Sequence, residues 1–256
     1  MSKVIDVHVH VGISSTLQVA GGAEDILKLM DFNGIDQSVI SPIPGYTTSR
    51  GIQDSVEQNN NIAEAVRRWP DRFPRGLGVV EPRHGKRALM EIDRMYEQLG
   101  LHGLMFHNDF NGVTVDDSRM YAILDRSSEF PGKVIMIHTA QQSMIESPIQ
   151  FMAVANAFPE LIFVDAHSMM LPAQLSASEM VARTCPNVYF DTCLSYHHDW
   201  PIERAVKTIG AERMVFGSDN PYFYRCVDKV IIEWAEINKE QREQIFFKTA
   251  SKVFAL

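Results

Sequence analysis

The sequence IDVHVH at residues 5–10 carries the two patterns from which we predict both the fold and the chemistry of this chain. Three β-branched residues alternate with polar ones, which favours a strand, and alternate residues of a strand point to the same face. His8 and His10 therefore share one face. If Val7 and Val9 point outward, the two imidazoles point into the interior of a barrel and form a pair of candidate metal ligands.

Seven further apolar runs have the length of a strand, and longer stretches with apolar residues at helical spacing separate them. The eight predicted strands lie near Val4–Val9, Gln37–Ile40, Gly76–Val80, Gly103–Phe106, Val134–Ile137, Ile162–Asp165, Val188–Asp191 and Met214–Gly217. The predicted helices lie near Ala23–Phe32, Gln58–Arg68, Arg87–Leu99, Met120–Leu124, Ile149–Ala157, Pro172–Val181, Ile202–Ile209, Asp228–Ile237 and Gln241–Phe254. A strand begins roughly every 30 residues, which is the length of a strand plus a crossover helix.

This alternation predicts an α/β fold, namely a single (β/α)8 TIM barrel in one domain that covers residues 1–256. Alternating strands and helices indicate a parallel sheet, and eight such units in a chain of this length close into a barrel. An open doubly wound sheet is the alternative. It normally has fewer strands, and no Gly-x-Gly-x-x-Gly motif follows the first strand here.

The composition is that of an ordinary globular protein whose expected partner is a small-molecule substrate. The 256 residues are 45% hydrophobic and carry a net charge of −8, so we expect no nucleic-acid binding, which favours a basic surface. There is no apolar run long enough to span a membrane, and the chain starts without an apolar signal region, so a cytoplasmic location is expected. The three cysteines lack metal or disulfide spacing and predict free thiols. A homodimer remains open.

Further titratable residues follow the predicted strands at their carboxyl ends, where barrel enzymes place catalytic groups. They are His107 after strand four, His138 after strand five, His167 after strand six and Asp219 after strand eight. Imidazoles and a carboxylate at such positions predict a site for a divalent metal. Each also has a structural interpretation, since a buried histidine can serve the hydrogen bonds of the core and Asp219 can cap the next helix.

With these residues in place, the sequence resembles the amidohydrolase superfamily, and more closely its amidohydrolase-related branch. That branch includes decarboxylases of small unsaturated and aromatic acids and small carboxylate lactonases. The resemblance rests on the His-x-His pair, on the histidines of strands five and six and on GSDNP at residues 217–221. It runs along the whole chain, because NNNIAEAVRRWPDRFPRGLGVV at 59–80 and FFKTASKVFAL at 246–256 also resemble segments of this branch.

The resemblance implies roles for individual residues. The implied metal ligands are His8, His10, His138 and Asp219. His167 is implied as the catalytic base or polarising group, and Asp219 is the other candidate for proton transfer. One divalent metal is expected, zinc before manganese, because the lysine that bridges two metals in dinuclear members is absent and Met105 occupies the neighbouring position.

Two reactions fit this ligand set. The first interpretation is a metal-dependent hydrolase that activates water to cleave an amide, lactone or ester of a small carboxylate-bearing substrate. The alternative is a metal-dependent, non-oxidative decarboxylase of a small aromatic or unsaturated acid. The expected substrate contacts are His107, Asn108 and Tyr222, and further loop candidates are Tyr46, Arg83, His197, His198 and Arg225.

Other classes of protein are less favoured. A metal-free barrel that only binds a ligand would not need histidines at so many strand ends. A metal-dependent phosphoesterase can also begin with His-x-His, but it usually has more ligands and a basic pocket for phosphate. A scaffold protein fits least well, since it would have no use for such a cluster of histidines.

Overall fold

The computed structural model describes residues 3–14, 18–45, 50–194, 198–223 and 226–256. Its strands are β1 (Ile5–Ser14), β2 (Val19–Gly21), β3 (Gln37–Pro42), β4 (Arg75–Gly78), β5 (Gly103–Phe106), β6 (Val134–His138), β7 (Ile162–Ala166), β8 (Val188–Asp191) and β9 (Met214–Val215). Its helices are α1 (Ala23–Asn33), α2 (Ile52–Arg68), α3 (Lys86–Glu97), α4 (Asn108–Asn111), α5 (Ser118–Ser128), α6 (Pro148–Ala157), α7 (Pro172–Thr184), α8 (Trp200–Thr208), α9 (Val227–Trp234), α10 (Lys239–Glu243) and α11 (Thr249–Val253). The segment Gln244–Lys248 between the last two helices is π-helical.

Eight parallel strands close into a barrel. β1 pairs with β3, and each later strand pairs with its successor as far as β9. Backbone hydrogen bonds between β1 and the chain around and after β9 complete the ring: Val7 N donates to Phe216 O, and Asp219 N donates to His8 O, both at 2.9 Å. The predicted (β/α)8 barrel is therefore confirmed, and the open doubly wound sheet is excluded.

Capping residues explain where the helices after β5 and β6 begin. The Ser147 side chain accepts a hydrogen bond from Gln150 N, the Gln150 side chain accepts one from Ser147 N, and Pro148 occupies the first turn of α6. The Asp117 carboxylate accepts a hydrogen bond from Arg119 N at the start of α5. These caps fix the points where two loops at the carboxyl end of the barrel pass into helices.

The apolar core has two layers. One lies between the sheet and the helices, and the other fills the barrel interior toward its amino-terminal end. The interior layer contains Ile5, Val7, Val39, Leu77, Met105, Val134, Met136, Val164, Ala166, Val215, Ala250, Val253 and Phe254. Ala250 and Val253 of α11 and the following residue, Phe254, belong to this interior layer. The terminal helix therefore closes the amino-terminal end of the barrel.

A β-bulge in β1 corrects one detail of the sequence interpretation. Asp6 pairs with Ser38 and Val9 with Ile40, so two residues of β1 oppose one residue of β3 between these pairs. Val7 consequently belongs to the interior layer and not to the outward face that strict alternation predicts. Val9 does face the helices, since it packs in the outer layer.

Every predicted strand and helix has a counterpart in the structure, most of them within a few residues at each end, but β1 continues five residues beyond the predicted Val9 and α2 begins six residues before the predicted Gln58. Four short elements of the described residues were not predicted, namely the antiparallel strand β2, which pairs with the end of β1, the four-residue helix α4, and two 3-10 helices at Pro82–His84 and Ala211–Arg213. All four are too short for a periodic pattern to be recognisable. No helix in the described ranges has both the length and the apolar character needed to cross a membrane.

Candidate active site

A cavity of about 420 Å³ opens at the carboxyl ends of the strands. This is where a barrel fold places the side chains that follow its strands. The lining residues are His8, His10, Pro44, Met105, His107, Asp109, Phe110, His138, His167, Leu194, Asp219, Tyr222 and Phe223. The cavity thus brings together all the predicted metal ligands and both predicted catalytic residues, on the face of the barrel predicted for them.

His8, His10 and Asp219 form one close group of ligand atoms in the cavity. Their facing atoms lie close together: His8 Nε2 is 3.1 Å from His10 Nε2, and Asp219 Oδ1 is 3.1 Å from His10 Nε2 and 3.6 Å from His8 Nε2. Ligand atoms about 2.1 Å from a shared divalent cation would have separations of this order. The chemistry and the spacing of this group therefore fit a metal.

The far side of each imidazole in this group is held by a buried partner. His8 Nδ1 lies 2.6 Å from Asp191 Oδ2, and His10 Nδ1 lies 3.1 Å from Pro42 O and 3.0 Å from Ser41 Oγ. Such outer contacts fix the orientation of metal-binding imidazoles and leave Nε2 for the metal. Burial lowers the pKa of His8, but the charge of Asp191 and the hydrogen bond to it more than offset this and raise that pKa to about 9.

Asp219 is held in place by backbone geometry. It has a φ of 59°, in the left-handed region that a residue with a Cβ seldom adopts, and such conformations cluster at functional sites. Burial raises the pKa of its carboxyl, but the hydrogen bond with His10 and the charges of His8 and His167 reverse this and hold the pKa below its usual range. Asp219 is therefore ionised at neutral pH, as a metal ligand must be.

A second group occupies the opposite wall of the cavity. The buried carboxylate of Glu146 lies 2.6 Å from His138 Nδ1 and 3.2 Å from His107 Nδ1. The two imidazoles are stacked, with ring centroids 3.9 Å apart and planes 12° from parallel. Burial raises the pKa of Glu146, but the two imidazoles reverse the effect and leave it well below its usual range, so this carboxylate is also ionised.

The four predicted ligands are thus divided between two walls. His138 lines the same cavity as the other three, yet its nearest titratable neighbours in the described part of the chain are His107 and Glu146. His138 lies at the end of β6 and faces the cavity, as a fourth metal ligand would. Its direct contact with a metal stays a prediction.

His167 lies between the two walls. Its ring centroid is 4.9 Å from that of His8 and 4.6 Å from that of His138. It too has a positive φ, of 62°, at the end of β7. Burial and the charge of His138 lower its pKa well below the usual value, so the imidazole is neutral and carries one proton. Its Nδ1 is buried without a hydrogen-bond partner among the described residues.

The predicted substrate contacts fall into two sets. His107 and Tyr222 line the cavity, and the Tyr222 hydroxyl is buried without a partner in the described ranges. Asn108 does not line it, because its side chain is fully buried and donates to Val113 O at 2.8 Å. Arg83 forms an ion pair with Glu81. The candidates Tyr46, His197 and Arg225 lie outside the described residues, and His198 does not line the cavity.

Sequence reasoning missed two acidic residues of the site. Asp191 ends β8, and its inward position could have been inferred from the alternation of that strand. Glu146 lies in a loop between β6 and α6, eight residues after His138, where no periodicity reveals which side chain turns inward.

Several known proteins with similar sequences or structures are decarboxylases. A curated 2-amino-3-carboxymuconate-6-semialdehyde decarboxylase of Dictyostelium discoideum is 27% identical over 119 residues, which cover 44% of this chain and 32% of that protein. The match therefore spans about a third of that relative.

Two solved structures are similar over nearly their whole length. The 2,6-dihydroxybenzoate decarboxylase from Rhizobium has a TM-score of 0.79 and 18% identity, with coverage of 100% of this chain and 99% of that chain. The 5-carboxyvanillate decarboxylase from Novosphingobium aromaticivorans, complexed with manganese and 4-hydroxy-3-methoxy-5-nitrobenzoic acid, has a TM-score of 0.77 and 17% identity, with coverage of 100% and 96%. At these identities the two structures support the fold alone.

The family assignment rests on a match along nearly the entire chain. The model of the Amidohydrolase family matches residues 5–256, from the first barrel strand to the last residue. The matched range includes both walls of the cavity and the helix that closes the barrel from below. The chain belongs to the Amidohydrolase family.

Proposed function

We propose that this protein is a metal-dependent decarboxylase of a small aromatic or unsaturated acid. The observation that carries the proposal is the convergence of His8, His10 and Asp219 at one point of the cavity, beside the neutral imidazole of His167. Of the two reactions predicted from the sequence, decarboxylation has the better support, because the similar proteins described above are decarboxylases. Hydrolysis remains as the outcome to test against.

The proposed cation site consists of His8, His10 and Asp219, with His138 as the fourth ligand from the opposite wall. Nitrogen ligands with one carboxylate suit zinc and also manganese. We propose manganese first, because a similar decarboxylase was solved with that ion. When bound, the cation would supply the positive charge that holds the carboxylate of the substrate and an oxygen next to it.

The side chains around this site can carry out the proton transfer that decarboxylation requires. The bond between the ring carbon and the carboxylate breaks, its electrons stay on the ring carbon, and carbon dioxide leaves. That carbon must then receive a proton, and His167 can relay one from water: the neutral ring accepts the proton on its free nitrogen and passes it to the carbon, because its lowered pKa makes the protonated ring a strong acid. The hydroxide left from the water combines with carbon dioxide or leaves to solvent. Burial and the charge of Asp219 raise the pKa of Tyr222, so its hydroxyl stays protonated and can donate to an anionic substrate.

The test is a deuterium experiment. The manganese-loaded protein is incubated in D₂O with 2,6-dihydroxybenzoate, 5-carboxyvanillate and an unsaturated dicarboxylate, and products are followed by mass spectrometry. The proposal expects release of carbon dioxide and one deuterium at the carbon that it left. A His8→Ala, His10→Ala double variant is the matched control, since it should lose both the bound metal and the deuterated product.

Two results would overturn the proposal. One is metal-dependent cleavage of lactones, amides or esters with no loss of carbon dioxide from any acid, which would restore the hydrolase interpretation. The other is a protein without bound metal after manganese and zinc supplementation, measured by inductively coupled plasma mass spectrometry. That result would remove the basis for either reaction.

A further inference from the structure

Glu146 connects the chain segments that follow β5 and β6, which form the wall opposite His8 and His10. It is fully buried, its backbone oxygen accepts a hydrogen bond from Ala140 N at 2.9 Å, and its Oε2 accepts one from Asp109 N at 3.2 Å. One carboxylate oxygen faces His138 and the other faces His107, each on its Nδ1 side. A single carboxylate therefore contacts the same edge of two parallel rings.

This contact determines which nitrogen of each ring carries the proton. The two contacts do not have the direction of regular hydrogen bonds, but a buried carboxylate oxygen 2.6 Å from His138 Nδ1 stabilises a proton on that nitrogen and repels a lone pair there, so the contact favours the tautomer with Nδ1 protonated. The same argument holds for His107 at 3.2 Å. In the neutral form of each ring, Nε2 is then the nitrogen with a free lone pair.

Both free lone pairs are directed away from Glu146 and toward the cavity. The Nδ1 atoms are buried, whereas the His138 and His107 side chains are 14% and 19% exposed and line the cavity, so their other edges are the exposed ones. The rings are stacked within 12° of parallel. The two Nε2 atoms are therefore held side by side on the cavity wall.

We propose that Glu146 is a positioning residue that sets the tautomer and the orientation of both imidazoles. His138 Nε2 is then free to bind the cation, and His107 Nε2 is free to accept a hydrogen bond from the substrate. His107 would thereby select a substrate that has a hydroxyl or amino group close to the carboxylate that leaves. This inference rests on the proposed function for the identity of the substrate, but not for the geometry of the two rings. Asp191 has the corresponding role for His8 on the other wall.

The tautomers can be measured in the unaltered protein. Zinc-loaded protein labelled with ¹⁵N at histidine is used, because zinc is diamagnetic, and long-range ¹H–¹⁵N spectra distinguish Nδ1–H from Nε2–H rings. Spectra of His107→Gln and of His138→Gln assign the two signals. The proposal expects both rings to be protonated at Nδ1. An Nε2–H signal from either ring overturns it, whatever the enzyme is found to catalyse.

A metal-affinity measurement tests the positioning role independently of any reaction. Loss of the carboxylate that orients a metal-binding imidazole typically costs 10–100-fold in metal affinity, so Glu146→Gln should raise the Kd for manganese by about that factor. Glu91→Gln is the matched control, because Glu91 is also a buried acid but hydrogen-bonds to Arg94 and Asn59 outside the cavity. A Kd for Glu146→Gln equal to that of Glu91→Gln overturns the proposal.

The substrate-selecting role of His107 has a separate readout. With manganese bound, the wild-type protein should bind 2-hydroxybenzoate at least about tenfold more tightly than benzoate, as a single well-formed hydrogen bond allows. His107→Gln should retain the manganese Kd and lose most of this discrimination. Equal discrimination in the variant overturns the assignment of His107. If both rings are protonated at Nδ1 and the metal and ligand affinities change as expected, but no acid is decarboxylated, the result counts against the proposed function and not against the role of Glu146.

Discussion

The two ends of this barrel are built from the same strands but follow opposite rules. On β6, Met136 points into the apolar interior layer and His138 points into the cavity. In and after β9, Val215 lies in the interior layer and Asp219 lines the cavity. The amino-terminal end is apolar and closed by Phe254, whereas the carboxyl-terminal end carries ionised and hydrogen-bonding groups around a cavity. Residues that stabilise the barrel and residues that carry its chemistry are thus separated along the chain direction, by two residues on β6 and by four residues in and after β9.

The separation has an energetic reason. A buried charge is strongly unfavourable unless partners surround it, whereas a buried apolar side chain stabilises wherever it packs. The cavity end meets this requirement with pairs such as His8 with Asp191 and Glu146 with two imidazoles. The closed end requires no such partners. Substitutions at the two ends should therefore change different measured quantities.

The largest expected effect is the loss of activity in Asp219→Asn. Removing the anionic ligand should weaken the cation site and lower kcat/KM at least about 10³-fold, since metal assistance is worth several kcal/mol and each 1.4 kcal/mol is tenfold in rate. Activity is measured with the substrate found in the D₂O screen, beside the bound metal. Asp25→Asn is the control, because Asp25 pairs with Lys28 on the surface. Retention of full activity and metal would remove Asp219 from the site.

At the closed end, Phe254→Ala should chiefly affect stability. Phe254 is fully buried in the interior layer, and truncation of such a ring costs about 3–5 kcal/mol of the free energy of unfolding. Urea titration measures this, and the metal affinity of the folded variant should stay close to that of the wild type. Phe32→Ala is the control, since Phe32 is 67% exposed on α1. A loss of metal affinity without a loss of stability would contradict the separation of the two ends.

The sequence was most informative where patterns repeat. Eight strands could be placed because each contains a short apolar run between turn residues, and the two inward histidines of β1 followed from their spacing. The bulge at Val7 could not be predicted, because an extra residue in one strand depends on its pairing with β3. Glu146 was missed for a similar reason, since a loop has no period that predicts the direction of its side chains.

A smaller effect on metal affinity is expected when a residue that orients a metal ligand is displaced and the ligand itself is retained. A Cβ on Gly217 would lie 2.2 Å from Asp191 Oδ1 and 2.8 Å from His8 Cβ, closer than atoms can approach. Gly217→Ala should therefore displace Asp191 from His8 and lower metal affinity about 10–100-fold. Isothermal titration with manganese measures it. Gly22→Ala is the control, with nothing nearer than 3.5 Å. Equal affinities for both variants would show that Asp191 does not orient His8.

The smallest expected effect concerns His102, a partly buried imidazole near the closed end, whose ring centroid lies 6.1 Å from that of Phe254. Burial, with the charges of Arg75 and Lys133, lowers the pKa of His102 from 6.5 to about 4. Below pH 6.5 the unfolded chain therefore binds a proton at this residue that the folded protein does not bind until about pH 4. The stability that the neutral ring contributes is present above pH 6.5 and is lost as the pH falls from 6.5 toward 4.

Because the ring is partly exposed, the loss between pH 7 and pH 5 should be only about 1 kcal/mol. His102→Gln has no such proton, so its free energy of unfolding should fall by that much less than the wild-type value over the same range. Urea titrations of both proteins at the two pH values measure the difference. Other buried groups titrate in this range, and the comparison with the variant removes their contribution. Parallel pH profiles for the two proteins would mean that the pKa of His102 is the same in the folded and unfolded chain, and that this residue adds nothing to the acid sensitivity of the closed end.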